Sequence, residues 1–138
     1  MRKGVLFLDY WANRRSYSNS VKVRVSLTTP NGVCYDKFCK GLTPGWDLRN
    51  QFSNGEIDFR EFSIKYLEKI LNDSKARDDM AFIEETLNSG KSVTLYCFEK
   101  DMPCHRFIIG ELFRLNGYTV KYWDGQIIYD WKGLANKG

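Results

Sequence analysis

Ser92-Val93-Thr94-Leu95-Tyr96-Cys97-Phe98 is the stretch from which the fold can be read. It is rich in β-forming residues and carries no charge, which suits a strand in the middle of a sheet. Pro103 then opens a helix that runs through Leu115 to Asn116 and stops at Gly117, because proline costs nothing in a first turn and glycine tolerates the backbone that ends one. Tyr118-Thr119-Val120-Lys121-Tyr122-Trp123 returns to strand chemistry. Strand, helix and strand in so short a span make a βαβ unit, whose right-handed crossover leaves its two strands parallel. Asp124-Gly125 is a two-residue hairpin signal, so Gln126 to Trp131 is expected to fold back antiparallel at the sheet edge.

Upstream, Val5-Leu6-Phe7-Leu8 reads as another buried strand, followed by a polar, basic loop from Asn13 to Ser20. Val21 to Leu27 alternates strictly, with Val21, Val23, Val25 and Leu27 on a buried face and Lys22, Arg24 and Ser26 on a wet one. Pro30-Asn31-Gly32 is turn chemistry, and Val33 to Leu42 has no period and is read as a loop. Pro44 is placed in the first turn of a short helix that Asn54-Gly55 ends. Asp58 caps the next helix, with Glu61 reaching back and Ile57 stapled to Phe62, and its inward face is Phe59, Phe62, Tyr66, Leu67, Ile70 and Leu71. A further helix is expected from about Ala76 to Ser89 with Met80, Ile83 and Leu87 inward. The pattern predicts one α/β domain over residues 1–138, a mixed, mostly parallel sheet flanked by helices with a C-terminal hairpin edge.

Composition agrees. The chain has 138 residues, 43% hydrophobic and 28% charged, enough apolar mass for a core and too much for a disordered tail. Its net charge of +4 is unevenly spread: +6 over residues 1–50, −4 over 51–99 and +2 over 100–138. The basic excess permits an anionic partner, a small molecule or a nucleic acid, and the acidic helices read as scaffold. No apolar run is long enough to cross a bilayer, so no membrane partner is expected. Four cysteines without an export signal suggest thiols in a reducing compartment, the cytoplasm. Oligomeric state is left open.

In open α/β sheets ligands lie beyond the carboxyl ends of the parallel strands. After Ser92 to Phe98 that rule selects Cys97-Phe98-Glu99-Lys100-Asp101-Met102-Pro103-Cys104-His105-Arg106, which holds two thiols, the chain's one histidine, carboxylates and an arginine. A thiol at a helix N-terminus, with His or Arg beside it, favours its thiolate, and at least one of Cys97 and Cys104 is expected to do so. Cys97, Glu99, Cys104 and His105 are therefore the candidate catalytic residues, with Glu99 as general base or sugar contact and Arg106 as an anion ligand. Bland alternatives stand beside each: Cys97 and Cys104 as small core residues, His105 as a packing residue, Arg106 as the partner of Glu99 or Asp101. After the first strand, Asp9, Tyr10, Arg14 and Arg15 form a second candidate ligand-binding group, with Tyr10, Trp11 or Tyr17 available to stack a base; the alternative is a solvated basic loop with two aromatics packing at a sheet end. Structural zinc favours knuckles of two to four residues, a spacing that only Cys34 and Cys39 meet, at its limit, so neither metal nor cofactor is expected.

Cys97-Phe98-Glu99-Lys100-Asp101 followed by Cys104-His105-Arg106 resembles the signature of the domain of unknown function 488 family. Asp9-Tyr10-Trp11-Ala12-Asn13 is similar to that family's N-terminal Tyr-aromatic-Ala segment, and Leu42-Thr43-Pro44-Gly45-Trp46-Asp47-Leu48 to its Pro-x-Trp segment. The likeness runs roughly from Val5 to Trp123. Asp9 departs from it, standing where a small hydroxyl residue is expected, and the loop between Glu99 and Cys104 is short. The resemblance implies that the signature is a site and names no reaction. Two functions remain: an enzyme or ligand-binding domain acting on a nucleotide-like or phosphorylated ligand, and a non-catalytic nucleic-acid or anion-binding module.

Overall fold

A computed structural model describes residues 2–13, 19–98, 104–123 and 128–133. Its centre is one six-stranded sheet: β1 (Leu6–Tyr10), β2 (Ser20–Arg24), β3 (Lys37–Phe38), β4 (Ser92–Cys97), β5 (Val120–Trp123) and β6 (Ile128–Asp130), in the order β3-β2-β4-β1-β5-β6. Every neighbouring pair is parallel except β5 and β6. The uncharged β4 does lie mid-sheet, with Val93 and Leu95 opposite Leu6 and Leu8 of β1 on one side and Val21 and Val23 of β2 on the other. The Asp124-Gly125 turn lies outside the described residues.

Four helices follow the expected order: α1 (Trp46–Ser53), α2 (Phe59–Asn72), α3 (Ser74–Asn88) and α4 (His105–Leu115). Asp58 caps α2 by accepting from the Glu61 amide at 2.8 Å, and Asp73 caps α3 by accepting from Lys75. Leu6, Leu8, Val23, Val93, Leu95, Cys97 and Val120 share one sheet face and one buried cluster with Phe62, Tyr66 and Ile70 of α2, Ile83 and Leu87 of α3 and Ile109 of α4. Gly110 lets α4 settle on that face: a Cβ there would stand 2.8 Å from Leu8 Cδ1. No helix among the described residues is long and apolar enough to cross a membrane.

Four local expectations are corrected. Residues 33–42 are not all loop: Lys37–Phe38 adds a parallel edge strand, and Lys40–Leu42 makes a 3-10 turn. That turn is pinned by buried Asp79 of α3, which accepts from the Gly41 amide at 2.8 Å. Pro44 precedes α1 instead of opening it, because Gly45 takes the cap position at φ 82°, where a side chain would be strained. Leu71 is exposed, because the core face of α2 follows Phe62, Tyr66 and Ile70 and Leu71 lies one position, about 100°, round the helix from it. The expected wet face of Val21 to Leu27 is only half exposed at Lys22 and Arg24, and Ser26 is buried. Arg24 stacks its guanidinium 3.8 Å over the Phe38 ring and donates to the Ser26 and Leu27 carbonyls, so aliphatic stem and charge both find protein partners.

Candidate active site

β4 ends at Cys97, whose carbonyl accepts from the Trp11 amide, so the ladder with β1 holds its backbone. Because Cys97 shares the face of Leu95, its side chain enters the helix-covered side of the sheet. α4 starts at His105, and Cys104 occupies its N-cap with extended backbone. The two thiols and the imidazole converge there. The two sulfurs and an imidazole nitrogen lie within 4.8 Å of one another, and all three residues are buried. Cys97 Sγ lies 3.5 Å from His105 Nε2, and Cys104 Sγ lies 3.8 Å from His105 Nδ1.

The imidazole is oriented from two sides. Past the end of β2, the Val25 amide still bonds to the Tyr96 carbonyl, and this continuation brings the Val25 carbonyl 2.6 Å from His105 Nε2. A carbonyl only accepts, so Nε2 carries the hydrogen, and Nδ1, which lies 3.8 Å from both the Cys104 and the Cys97 sulfur, is left to exchange a proton with a thiol. The Tyr66 ring of α2 meets the imidazole edge-on at 5.6 Å, and its hydroxyl donates to the Leu42 carbonyl. Burial pushes the Tyr66 phenol well up, reinforced by the neighbouring cysteines, so it stays a donor.

For Cys104, burial by itself raises the thiol. A hydrogen bond from Cys97, the Arg106 charge and the charge and hydrogen bond of His105 outweigh that effect and hold it well below the ordinary thiol value. The expected thiolate-favouring cysteine is therefore Cys104. Its position at the positive end of α4 adds to the same effect.

Outside the thiols opens a cleft of about 420 Å³. Cys104 and His105 line its inner end, Phe52, Phe59 and Phe62 form an apolar wall, and Trp46, Arg49 and Phe98 stand at its mouth. Trp46 and Phe98 are 53% and 44% exposed, unusual for rings of this size. The Arg49 guanidinium lies 5.8 Å from the Trp46 ring, one helical turn further along α1.

The other candidates fall as follows. Arg106 is fully buried, with its guanidinium 4.5 Å from the Phe107 ring; it is not among the residues lining the cleft, and it reaches Cys104 by its charge. Asp9 is buried at the end of β1, its carboxylate accepting from the Tyr10 amide and the Asn13 side chain. Tyr10 sits opposite Cys97 in the sheet and is buried. Trp11 is buried too, stacked on Tyr96 at 4.8 Å with its indole N–H donated to Ser26 Oγ. Neither ring is placed to stack a base, because each closes the core at the end of β1. Glu99, Arg14, Arg15 and Tyr17 lie outside the described residues. Of the zinc candidates, Cys34 is exposed and Cys39 lies with Asp79 at the 3-10 turn, so the grouping that forms is Cys97, Cys104 and His105. Those three could hold a soft metal ion, against which the positive charge of Arg106 acting on Cys104 works.

Sequence reasoning missed Trp46, Arg49 and Phe98 as lining residues, although the Pro-x-Trp segment marked the first of them. It also missed the Val25 carbonyl, a backbone group with no sequence signature.

A family model described as the active DUF488-N3 subclade matches residues 7–117. The chain belongs to this DUF488 family. The matched span contains the whole Cys-His-Arg signature and the residues that line the cleft. No curated protein and no solved structure matches the chain.

Proposed function

We propose that this DUF488 domain acts on a nucleotide-like ligand in the aromatic cleft, with the Cys104 thiolate as nucleophile and His105 as its proton partner. The observation that carries the reading is the line Cys104–His105–Val25 carbonyl at the inner end of that cleft. A nucleophile, a base and a group orienting the base are the three parts of thiol-dependent covalent catalysis. The walls supply the ligand class. Trp46 and Phe98 offer exposed ring faces to a planar base, and Arg49 offers a cation within reach of a phosphate. Glu99, two residues beyond Cys97, is the remaining acid/base candidate.

The test is a thermal-shift panel of nucleosides, nucleotides and sugar phosphates, repeated with Trp46→Ala, Arg49→Ala and Cys104→Ser. Stabilisation by a nucleotide that Trp46→Ala and Arg49→Ala each weaken by about tenfold, the size of one stacking or charge-assisted contact, is the expected result. A panel in which no nucleotide shifts the wild-type protein sinks the reading.

A further inference from the structure

The nucleophile–base line just described does not use Cys97, whose sulfur lies within 4.8 Å of the Cys104 sulfur and 3.5 and 3.8 Å from the two nitrogens of the same imidazole. We propose that Cys104 and Cys97 act as a dithiol pair that reduces hydroperoxides and closes as an intramolecular disulfide, a second activity that also turns the cleft's nucleophile off under oxidising conditions. The proposal rests on the reading of Cys104 as the reactive thiol.

The two thiols are unequal in a way that sets the order of steps. Cys104 lines the cleft, whereas Cys97 is fully buried behind it, so an oxidant arriving through the cleft meets Cys104 first. The lowered Cys104 thiol supports the same order, because the thiolate is the form that attacks. In the first step the Cys104 sulfur attacks one peroxide oxygen; the S–O bond forms as the O–O bond breaks. The proton that Cys104 gave to His105 Nδ1 passes to the departing oxygen, which leaves as an alcohol, or as water from hydrogen peroxide. Cys104 is then a sulfenic acid, oxidised by two electrons, and the peroxide bond has taken those electrons. In the second step the Cys97 sulfur attacks the Cys104 sulfur. The S–S bond forms, the S–O bond breaks, and hydroxide leaves as water with the Cys97 proton. The balance is two thiols and one hydroperoxide giving one disulfide, one alcohol and one water.

The closing movement is short. A disulfide needs its sulfurs about 2.05 Å apart, and Cys104 stands before α4 on extended backbone, so its side chain can turn inward without unwinding the helix. Cys34, on the surface, and Cys39, at the 3-10 turn, are outside the cluster and give the experiment its internal comparison.

The experiment is peptide mapping of the full chain after treatment with hydrogen peroxide and blocking of the remaining thiols. The expected product is a Cys97–Cys104 cross-linked peptide, lighter by two hydrogens and reopened by dithiothreitol. In Cys97→Ser the sulfenic acid on Cys104 is expected to persist, to be trapped by dimedone and to pass to sulfinic acid about tenfold more than in the wild type. A wild-type map in which Cys104 accumulates sulfinic acid, or pairs with Cys34 or Cys39, overturns the proposal, and this holds even if Cys97→Ser does not fold. Failure of the nucleotide panel would leave this map unchanged, and failure of the map would leave nucleotide binding standing, so the two readings fall separately.

Discussion

Cys39 and Cys104 occupy similar places and have opposite characters. Each is buried, each follows a strand and each precedes a helical turn. Burial pushes the Cys39 thiol up to about 12, and the Asp79 carboxylate adds to it, with Lys37 and Lys75 offsetting only part. Cys104 feels burial too, but Cys97, Arg106 and His105 reverse its effect. Helix length contributes to the difference: the three residues after Cys39 make almost no macrodipole, whereas α4 has 11. Burial by itself makes a thiol inert. What separates the two buried thiols here is the sign of the charges around them.

The sharpest way to break the comparison is native-state alkylation near pH 6, where an ordinary thiol of pKa about 8.5 is over ~99% protonated. Cys104 is expected to react at least ~100-fold faster than Cys39; equal rates would end the distinction. The opposite ends of the pH scale test the same contrast through stability. Because the folded Cys39 value lies above the unfolded one, its contribution is complete below the unfolded thiol value and is lost as pH rises towards about 12. The folded Cys104 value lies below the unfolded one, so its contribution is present above the unfolded value and fades as pH falls through the folded value. Urea midpoints of wild type against Cys39→Ala should therefore converge as pH rises from neutrality to strongly alkaline, and parallel curves would contradict the assignment.

A smaller effect is expected from His105→Gln. It removes one of several influences on Cys104 and should slow labelling at pH 6 by about tenfold, the equivalent of one pKa unit. An unchanged rate would mean that Arg106 and Cys97 alone hold the thiolate. Asp79→Ala leaves the buried Gly41 amide without its acceptor and should cost about 1–3 kcal/mol in urea unfolding while speeding Cys39 labelling in alkali. Loss of stability without faster labelling would separate the two roles of Asp79. Tyr66→Phe comes last. It deletes the bond to Leu42 and keeps the ring on His105, so about 1 kcal/mol of stability should go while Cys104 labelling changes less than about threefold. A large change in labelling would show that the hydroxyl, and not the ring, positions the imidazole.

Much of this arrangement was legible because it is local. The uncharged run of β4, the glycine after α4 and the Asp58 cap are each decided within a few residues, and the rule for strand ends turned them into a place for the site. Where neighbours are distant, the sequence was mute. Lys37–Phe38 is too short to show a period, and Arg24 looked solvated because nothing near it in the chain announces the Phe38 ring beneath it. Of the two readings open for Tyr10 and Trp11, stacking a base and packing at the sheet end, the structure has the second. Cys97, Cys104 and His105 could be found as a cluster, but their ranking could not. That depends on the Val25 carbonyl, which arrives from 80 residues away.

The strand order has a consequence for how such a site comes into being. β1 pairs only with β4 and β5, both of which are made long after it. A growing chain that has reached α3 therefore holds its first strand with no neighbour, and no local pairing can rescue it. The sheet closes when Ser92–Cys97 slides between β2 and β1, and that same strand delivers Cys97 to its place. Folding has one late, long-range step, and it brings Cys97 to Cys104 and His105: a chain interrupted before that step would have neither the closed sheet nor that cluster.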